Sequence, residues 1–426
     1  MEEGACAMSG CEAKVPALRF KGYPAGNAEK AEGGRLPSNT GGRARTPVAL
    51  WKRNRFGEIA TRKSTMGNAV ALPRVEYEDV IPFSGFFYND IFAKTSDKIG
   101  VQFSEGDVLF GKLRPYLGNW ILAEFKGLAV GDWWVLRPKG IDSEFLYTLI
   151  QSPSFQDVAN QSSGSKMPRA DWSLVSETFF SCPNDAVEQR RIGSFFRSLD
   201  ALIAGREKAL EKLEALKKSM LLKMFPQGDA KVPEVRFKGF TGDWEKKRLG
   251  IFFEERDESN RDGDETEILS VMKDVGVIRY ADKGNVGNRA KEDVTQYNIA
   301  RKGDIVLNSM NFIIGSVGVA PCDGCISPAY YALIPLDNAD ASFWGYWFWR
   351  KESQCVISSL ACGMMEIRRK ISVEDLLSIV TPVPTLLEQQ KIGAYFRSLD
   401  ALIAARREEA EKLKQMKKAL LERMFV

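Results

Sequence analysis

The stretch Glu188–Phe225, EQRRIGSFFRSLDALIAGREKALEKLEALKKSMLLKMF, returns at Glu388–Phe425 as EQQKIGAYFRSLDALIAARREEAEKLKQMKKALLERMF. The copies align without a gap at an offset of 200, with 22 of 38 positions identical, which marks a duplicated architectural unit. Apolar residues recur at alternating steps of three and four. The row runs Ile192, Phe195, Leu199, Leu202, Arg206, Ala209, Leu213, Leu216 and Met220 in the first copy. In the second it runs Ile392, Tyr395, Leu399, Leu402, Arg406, Glu409, Leu413, Met416 and Leu420. This is the pattern of a coiled-coil seam on a long helix. The remaining faces carry Glu207, Lys208, Glu211, Lys212, Lys217 and Lys218, as a solvated or partner-facing surface would. Each helix could instead pack only on its own domain, but near-identity over the whole length argues against that. Two such helices pairing antiparallel would make a pseudo-twofold spacer. Arg206 and Arg406 share one seam place, where a carboxylate across the helix pair is a candidate partner.

Working outward, a second pair of segments opens each repeat. Val15-Pro-Ala-Leu-Arg-Phe-Lys-Gly-Tyr23 matches Val232-Pro-Glu-Val-Arg-Phe-Lys-Gly-Phe240 at an offset of 217. Trp51-Lys-Arg-Asn-Arg-Phe-Gly57 matches Trp244-Glu-Lys-Lys-Arg-Leu-Gly250 at an offset of 193, so the first copy holds 24 extra residues after Tyr23. That insert is rich in Gly, Ala, Pro and Arg without an apolar period, and reads as disordered or loosely packed. It breaks the first leader, and Met8 offers an alternative start. Between the repeated segments lie two variable blocks, roughly 47–185 and 241–385. Runs such as Asp107–Phe110, Trp120–Phe125, Asp304–Leu307 and Ala329–Ile334 read as strands, and helices are expected near Ser143–Gln151 and Ser342–Lys351. The blocks correspond at Glu105–Phe110 with Lys302–Leu307 and at Ser163–Arg169 with Cys362–Arg368. One ancestral α/β domain, duplicated and given a new surface, accounts for this.

Composition narrows the chemistry. The 426 residues contain no histidine, which removes histidine-based nucleophile systems, HExxH zinc sites and any histidine general base. Gly111-Lys112 is followed by Leu113, so no phosphate loop is present, and no GxGxxG fingerprint opens a helix. Cys322-Asp-Gly-Cys325 would need two more zinc ligands, for which only Cys355 and Cys362 lie nearby. A turn flanked by small buried thiols explains it as simply. Seven scattered cysteines do not form a secreted disulfide framework and read as reduced thiols. No stretch approaches the roughly 18 apolar residues of a membrane helix, and no signal segment opens the chain. A soluble cytoplasmic protein is expected, without cofactor or metal. The net charge of +4 permits a nucleic-acid partner without requiring one.

Two unlike domains, each followed by a near-identical helix that opens Glu-Gln-x-x-Ile-Gly and closes Met-Phe, resemble the specificity subunit of type I restriction-modification systems. The duplicated leader, Asp243-Trp-Glu-Lys-Lys-Arg-Leu-Gly250, Phe110-Gly-Lys-Leu-Arg-Pro-Tyr-Leu-Gly118, and Ser309–Asn311 with Ser327–Tyr331 are also similar to that family. The resemblance implies an α/β (α+β) chain in which two target-recognition domains alternate with two long helices. The division is a leader and insert at 1–46, a first target-recognition domain at 47–185 and a central helix at 186–226. A leader with a second domain follows at 227–385, then a C-terminal helix at 386–426. Each domain would read one half of a split site in double-stranded DNA. The helices would set the gap and dock two methyltransferase subunits, with restriction-translocase subunits joining them, and the chain itself would not be an enzyme.

Reading bases in the major groove takes short polar or forked side chains on loops, with cations nearby for phosphates. In the first domain Lys112, Arg114 and Tyr116 follow a strand, and Lys166 and Arg169 lie in a Gly/Ser loop. In the second, Asn308, Ser309 and Asn311 follow the equivalent strand, and Arg368, Arg369 and Lys370 follow Gly363. Asn can hold adenine, and Arg guanine, by two hydrogen bonds. For any one of these residues a solvated charge or a turn-stabilising Asn is the plainer reading, and recurrence in both copies favours the loops over the individuals. Two other functions fit parts of the sequence: a stand-alone two-repeat DNA-binding regulator, and a Mg²⁺-dependent endonuclease, for which no repeated acidic cluster stands out.

Overall fold

The computed structural model describes residues 16–20, 51–94, 96–161, 166–273, 275–283, 293–309, 316–360 and 371–425. The chain divides into two compact units, 1–209 with 407–426 and 210–406. Each unit therefore contains one α/β domain, the start of the helix that follows it, and the far end of the other long helix.

In the first unit a four-stranded antiparallel sheet runs in the order Ala60–Lys63, Trp133–Pro138, Val108–Gly111, Trp120–Leu122. A second sheet, including Gly100–Phe103 and Gly127–Ala129, lies over its other face through Val75, Phe103, Leu109, Ile121 and Val135. The second unit repeats the first arrangement as Phe253–Glu255, Tyr330–Pro335, Ile305–Asn308, Val317–Val319. In both, the Gly-Asp turn before the central strand is structural. Gly106 and Gly303 take φ of 82° and 96°, which favours glycine. The buried carboxylates of Asp107 and Asp304 then accept from the Ser104 and Arg301 amides and pair with Arg137 and Arg256.

The long helices are Ala186–Lys223 and Leu386–Met424. Their N-terminal halves mount the domains. Glu188 is wholly buried and takes a two-point hydrogen bond from Arg19 of the leader, at 2.7 and 2.5 Å, with the Trp51 indole at 3.2 Å. Glu388 is held the same way by Arg236, at 2.8 Å twice. Gln189 accepts from the Asp142 amide and donates to Pro183, and Gln389 repeats this with Asp340 and Pro384. Gly193 and Gly393 are needed for close approach. A Cβ there would come within 2.7 Å of the Phe145 amide in the first case and 2.9 Å of the Phe343 amide in the second. The Glu-Gln-x-x-Ile-Gly motif is thus a mounting plate for a short helix of the domain, Ser143–Leu149 or Ala341–Trp349.

The buried row on these halves is Ile192, Phe196, Leu199, Ile203 and Ile392, Phe396, Leu399, Ile403. This corrects part of the expected seam. Leu202, Leu216, Leu402 and Met416 are 44%, 39%, 42% and 44% exposed, because Phe196, Ile203 and their counterparts face the domain and turn the neighbouring row outward. Leu213 and Leu413 are half-buried. Across the helices, Lys417 binds Asp200 at 2.6 Å and Arg206 binds Glu409 at 3.1 Å in the first unit, while Lys217 binds Asp400 at 2.6 Å in the second. Arg206 therefore does meet a carboxylate.

The helix ends act as plugs. In the first unit Phe425 lies edge-on to Trp51 and tilted against Phe145, and Leu421 and Met424 join the same core. In the second unit Phe225 stacks on Phe343 and Phe396. Removing a fully packed phenyl ring costs about 3–5 kcal/mol. Phe425→Ala is accordingly expected to destabilise the first unit by that amount in urea unfolding. Leu402→Ala, at an exposed place, is expected to change stability by less than about 0.5 kcal/mol. Equal losses would contradict this burial pattern.

Candidate nucleic-acid interface

In the first unit the strand Val108–Gly111 runs into a loop that a second segment zips in place. The Arg114 amide donates to Pro168 at 2.7 Å, the Ala170 amide donates to Lys112 at 2.8 Å, and Leu113 bridges Arg169. Two loops remote in sequence thereby become one surface. Asp132 ties it further, bonding the Arg169 guanidinium at 3.0 Å and the Lys112 ammonium at 3.4 Å. Partial burial alone would raise the Asp132 carboxyl, but Arg169 and Lys112 together hold it below its ordinary value. Under this surface the Tyr77 hydroxyl donates to the Asp132 carbonyl and accepts from the Leu113 amide. Burial pushes that hydroxyl well above its ordinary range, so it stays a neutral strut.

Arg114 sits at the apex with φ of 49°, a left-handed conformation that costs a non-glycine residue about 1–3 kcal/mol. Its guanidinium has no partner among the described residues, which leaves it available to a ligand. Tyr116 follows at 53% exposure, and Lys166 and Arg169 are exposed beside it. Of the five expected residues in this domain Tyr116, Lys166 and Arg169 are exposed, and Lys112 and Arg114 are half-buried.

The second unit is different. Asn308 remains in the ladder opposite Tyr330 and is 6% exposed. Ser309, 1% exposed, spends its hydroxyl on the Ala329 carbonyl at 2.8 Å. Both lie beneath the surface because the strand continues through Asn308. Asn311, Arg368, Arg369 and Lys370 lie outside the described residues, as does Cys362. Sequence reasoning missed Tyr77 and Asp132; neither stands in a motif, and only the fold brings them to the loop. Among the described residues, no cluster of three or more acidic or cysteine side chains could hold a metal, and no helix is long and apolar enough to cross a membrane.

Residues 241–415 match the model of the type I restriction modification DNA specificity domain. Stretches of the chain are similar in sequence to type I restriction enzyme specificity subunits. The chain is 26% identical over 246 residues to the MjaX type I restriction enzyme specificity subunit of Methanocaldococcus jannaschii, covering 55% of each chain. It is 28% identical over 128 residues to the EcoDI specificity subunit of Escherichia coli, covering 29% of each. The chain thus spans about half, or less, of the length of these curated relatives. The fold is similar to the crystal structure of a type I S subunit from M. genitalium, with TM-score 0.57 and 16% identity over 90% of this chain and 98% of that one.

The tie through Asp132 gives a test within the specificity-subunit fold. A carboxyl held low contributes stability that is present above its unfolded pKa and lost as pH falls through the folded one, here below 3.8. Asp132→Asn removes the charge at neutral pH. Hydrogen exchange should then speed up at the Arg114 and Ala170 amides while the rest of the sheet keeps its protection. Unchanged exchange at both amides would show that the loops are held without Asp132.

Proposed function

We propose that this chain is the non-catalytic, DNA-binding specificity subunit of a type I restriction-modification complex. The observation that carries the reading is the repeated mounting: Glu188 and Glu388, with Arg19 and Arg236, fix two domains of different sequence to the same helical platform. A platform used twice with changed loops suits a protein that reads two different half-sites and presents both alike to its partners. Residues 47–185 and 227–385 are the two target-recognition domains, joined by helices 186–226 and 386–426. In the first domain Arg114 and Lys166 contact base edges and phosphates, while Lys112 and Arg169, already shared with Asp132, place phosphates. In the second, Asn311 and Arg368–Lys370 are the corresponding candidates, while Asn308 and Ser309 are buried and serve the fold.

The helices pair antiparallel in this reading. Lys417 with Asp200 in the first unit and Lys217 with Asp400 in the second are the same contact with the two copies exchanged, which supports the reading. The outward row of Leu202, Leu216, Leu402 and Met416 provides the apolar surface for two methyltransferase subunits, with restriction-translocase subunits assembling on that core in the cytoplasm.

Co-expression with cognate methyltransferase subunits tests the whole. The chain alone should transfer no methyl group, and the complex should methylate a bipartite site. Exchanging residues 47–185 for the matching block of a related subunit should change one half of that site only; methylome sequencing showing both halves changed, or neither, would count against modular reading.

Helix length should set the gap. Four helix-forming residues inserted after Glu211 add about 6 Å and rotate the remainder of the helix by about 40°, since each residue rises 1.5 Å and turns roughly 100°. One base pair advances about 3.4 Å and turns about 34°, and DNA can bend or twist to absorb the mismatch. The expected site keeps its half-site bases and gains one pair, at most two, in the gap. Changed bases with an unchanged gap would end the ruler model.

A further inference from the structure

Trp51 and Trp244 serve the cores of the two units, but the cations that follow them in each repeat do not. Those cations lie on a two-stranded antiparallel ribbon, Trp51–Arg55 with Phe179–Pro183 in the first unit and Glu245–Arg248 with Val380–Val383 in the second. Among the described residues neither ribbon extends into a larger sheet. In the partner strands Phe180 and Cys182, or Thr381 and Val383, are buried, so the alternate residues Phe179 and Val380 face outward, at 46% and 53% exposure. Register sets Arg55 opposite Phe179 and Arg53 opposite Ser181. In the second unit it sets Arg248 opposite Val380 and Lys246 opposite Pro382. Two cations therefore stand on the outward face of the ribbon in both units.

Charge is kept at these places and not at the ones between. Lys52 is answered by Glu245, and Asn54 by Lys247, which Glu245 neutralises at 2.8 Å. Lys246 and Arg248 are exposed and have no carboxylate partner among the described residues. In the first unit the guanidiniums of Arg53 and Arg55 each lie over the Phe179 ring, 5.5 Å from its centre. A guanidinium laid on an aromatic face is weakly hydrated and keeps its N–H edges for a bidentate anion. Glu177 meets Arg55 at 3.3 Å between side chains 67% and 50% exposed, a pairing that water and salt weaken.

An anion repeated along a line suits this arrangement. Side chains two apart on an antiparallel strand stand about 7 Å apart, enough to meet successive phosphates of one DNA strand. Base edges differ from one half-site to the next, whereas phosphates do not, so a contact kept in both units while the loops diverge suits the backbone.

We infer that each ribbon anchors the phosphate backbone of duplex DNA without reading sequence, through Arg53 and Arg55 in the first unit and Lys246 and Arg248 in the second. The anchor rests on the DNA-binding reading and lies outside the candidate reading loops. Fluorescence anisotropy of the full chain on a duplex of about 30 base pairs of arbitrary sequence, over a potassium chloride series, counts the phosphates neutralised. The double variants Arg53→Gln with Arg55→Gln, and Lys246→Gln with Arg248→Gln, should each reduce the slope of log affinity against log salt by about two. Lys246→Arg with Arg248→Lys, which keeps both charges, should keep the wild-type slope. Methylome sequencing of the Gln variants should return unchanged half-site bases, since no base contact is lost; changed bases would overturn the anchor. Duplex binding with unchanged slopes would overturn it and leave the DNA-binding reading intact, while no duplex binding by the wild-type chain would overturn both. Unchanged slopes together with loss of a co-purifying methyltransferase would assign the ribbons to a protein partner instead.

Discussion

A carboxylate buried at the start of each long helix is the constraint on which the structure depends. Glu188 and Glu388 are 0% and 1% exposed, and an ionised carboxylate in such a place is tolerable only when paired and fully hydrogen-bonded. Each is met by an arginine far away in sequence, Arg19 or Arg236, through two parallel bonds. Breaking such a pair costs about 3–5 kcal/mol because the remaining charge is stranded. The leader, the first turn of the helix and the domain between them are therefore one mechanical piece. Gln189 and Gln389, accepting from the N-cap residues Asp142 and Asp340 of the domain's short helix, fix its angle.

This mounting explains why the repeated segments can be so alike while the domains differ. The identical residues are spent on contacts that both units must make: Glu, Gln, Gly, the buried Ile–Phe–Leu–Ile row, and the closing Met-Phe. Asp200 and Asp400 serve twice, receiving a tyrosine hydroxyl from the domain and a lysine from the other helix. The described loop after the strand Val108–Gly111 makes none of these contacts and is free to diverge. In the first unit it diverged toward cations set on a strained apex. In the second, Asn308 and Ser309 were drawn into the structure.

Some apparent motifs prove to be scaffolding. The shared Gly-Asp before the central strand caps a turn and buries a charge against arginine, and has no ligand to hold. Cys325 is a buried thiol in a strand, raised to about 11 chiefly by burial, which is the behaviour of a packing residue.

The sequence by itself determined the duplication, the two long helices, the strands around the Gly-Asp turns and the family resemblance, because each depends on periodicity or repetition that a linear text preserves. It also singled out Arg114, Lys112 and Arg169, since cations after a strand are visible in order. What only the tertiary structure decided is which row of each helix is buried: a shift from Leu202 to Ile203 turns a side chain by about 100°, and the choice depends on where the domain leans. The same holds for Asp132 and Tyr77, which hold Lys112 and Leu113 of the loop after Val108–Gly111 from 20 and 36 residues away. Packing phase and long-range hydrogen bonds are properties of three-dimensional neighbours, and no local pattern encodes them.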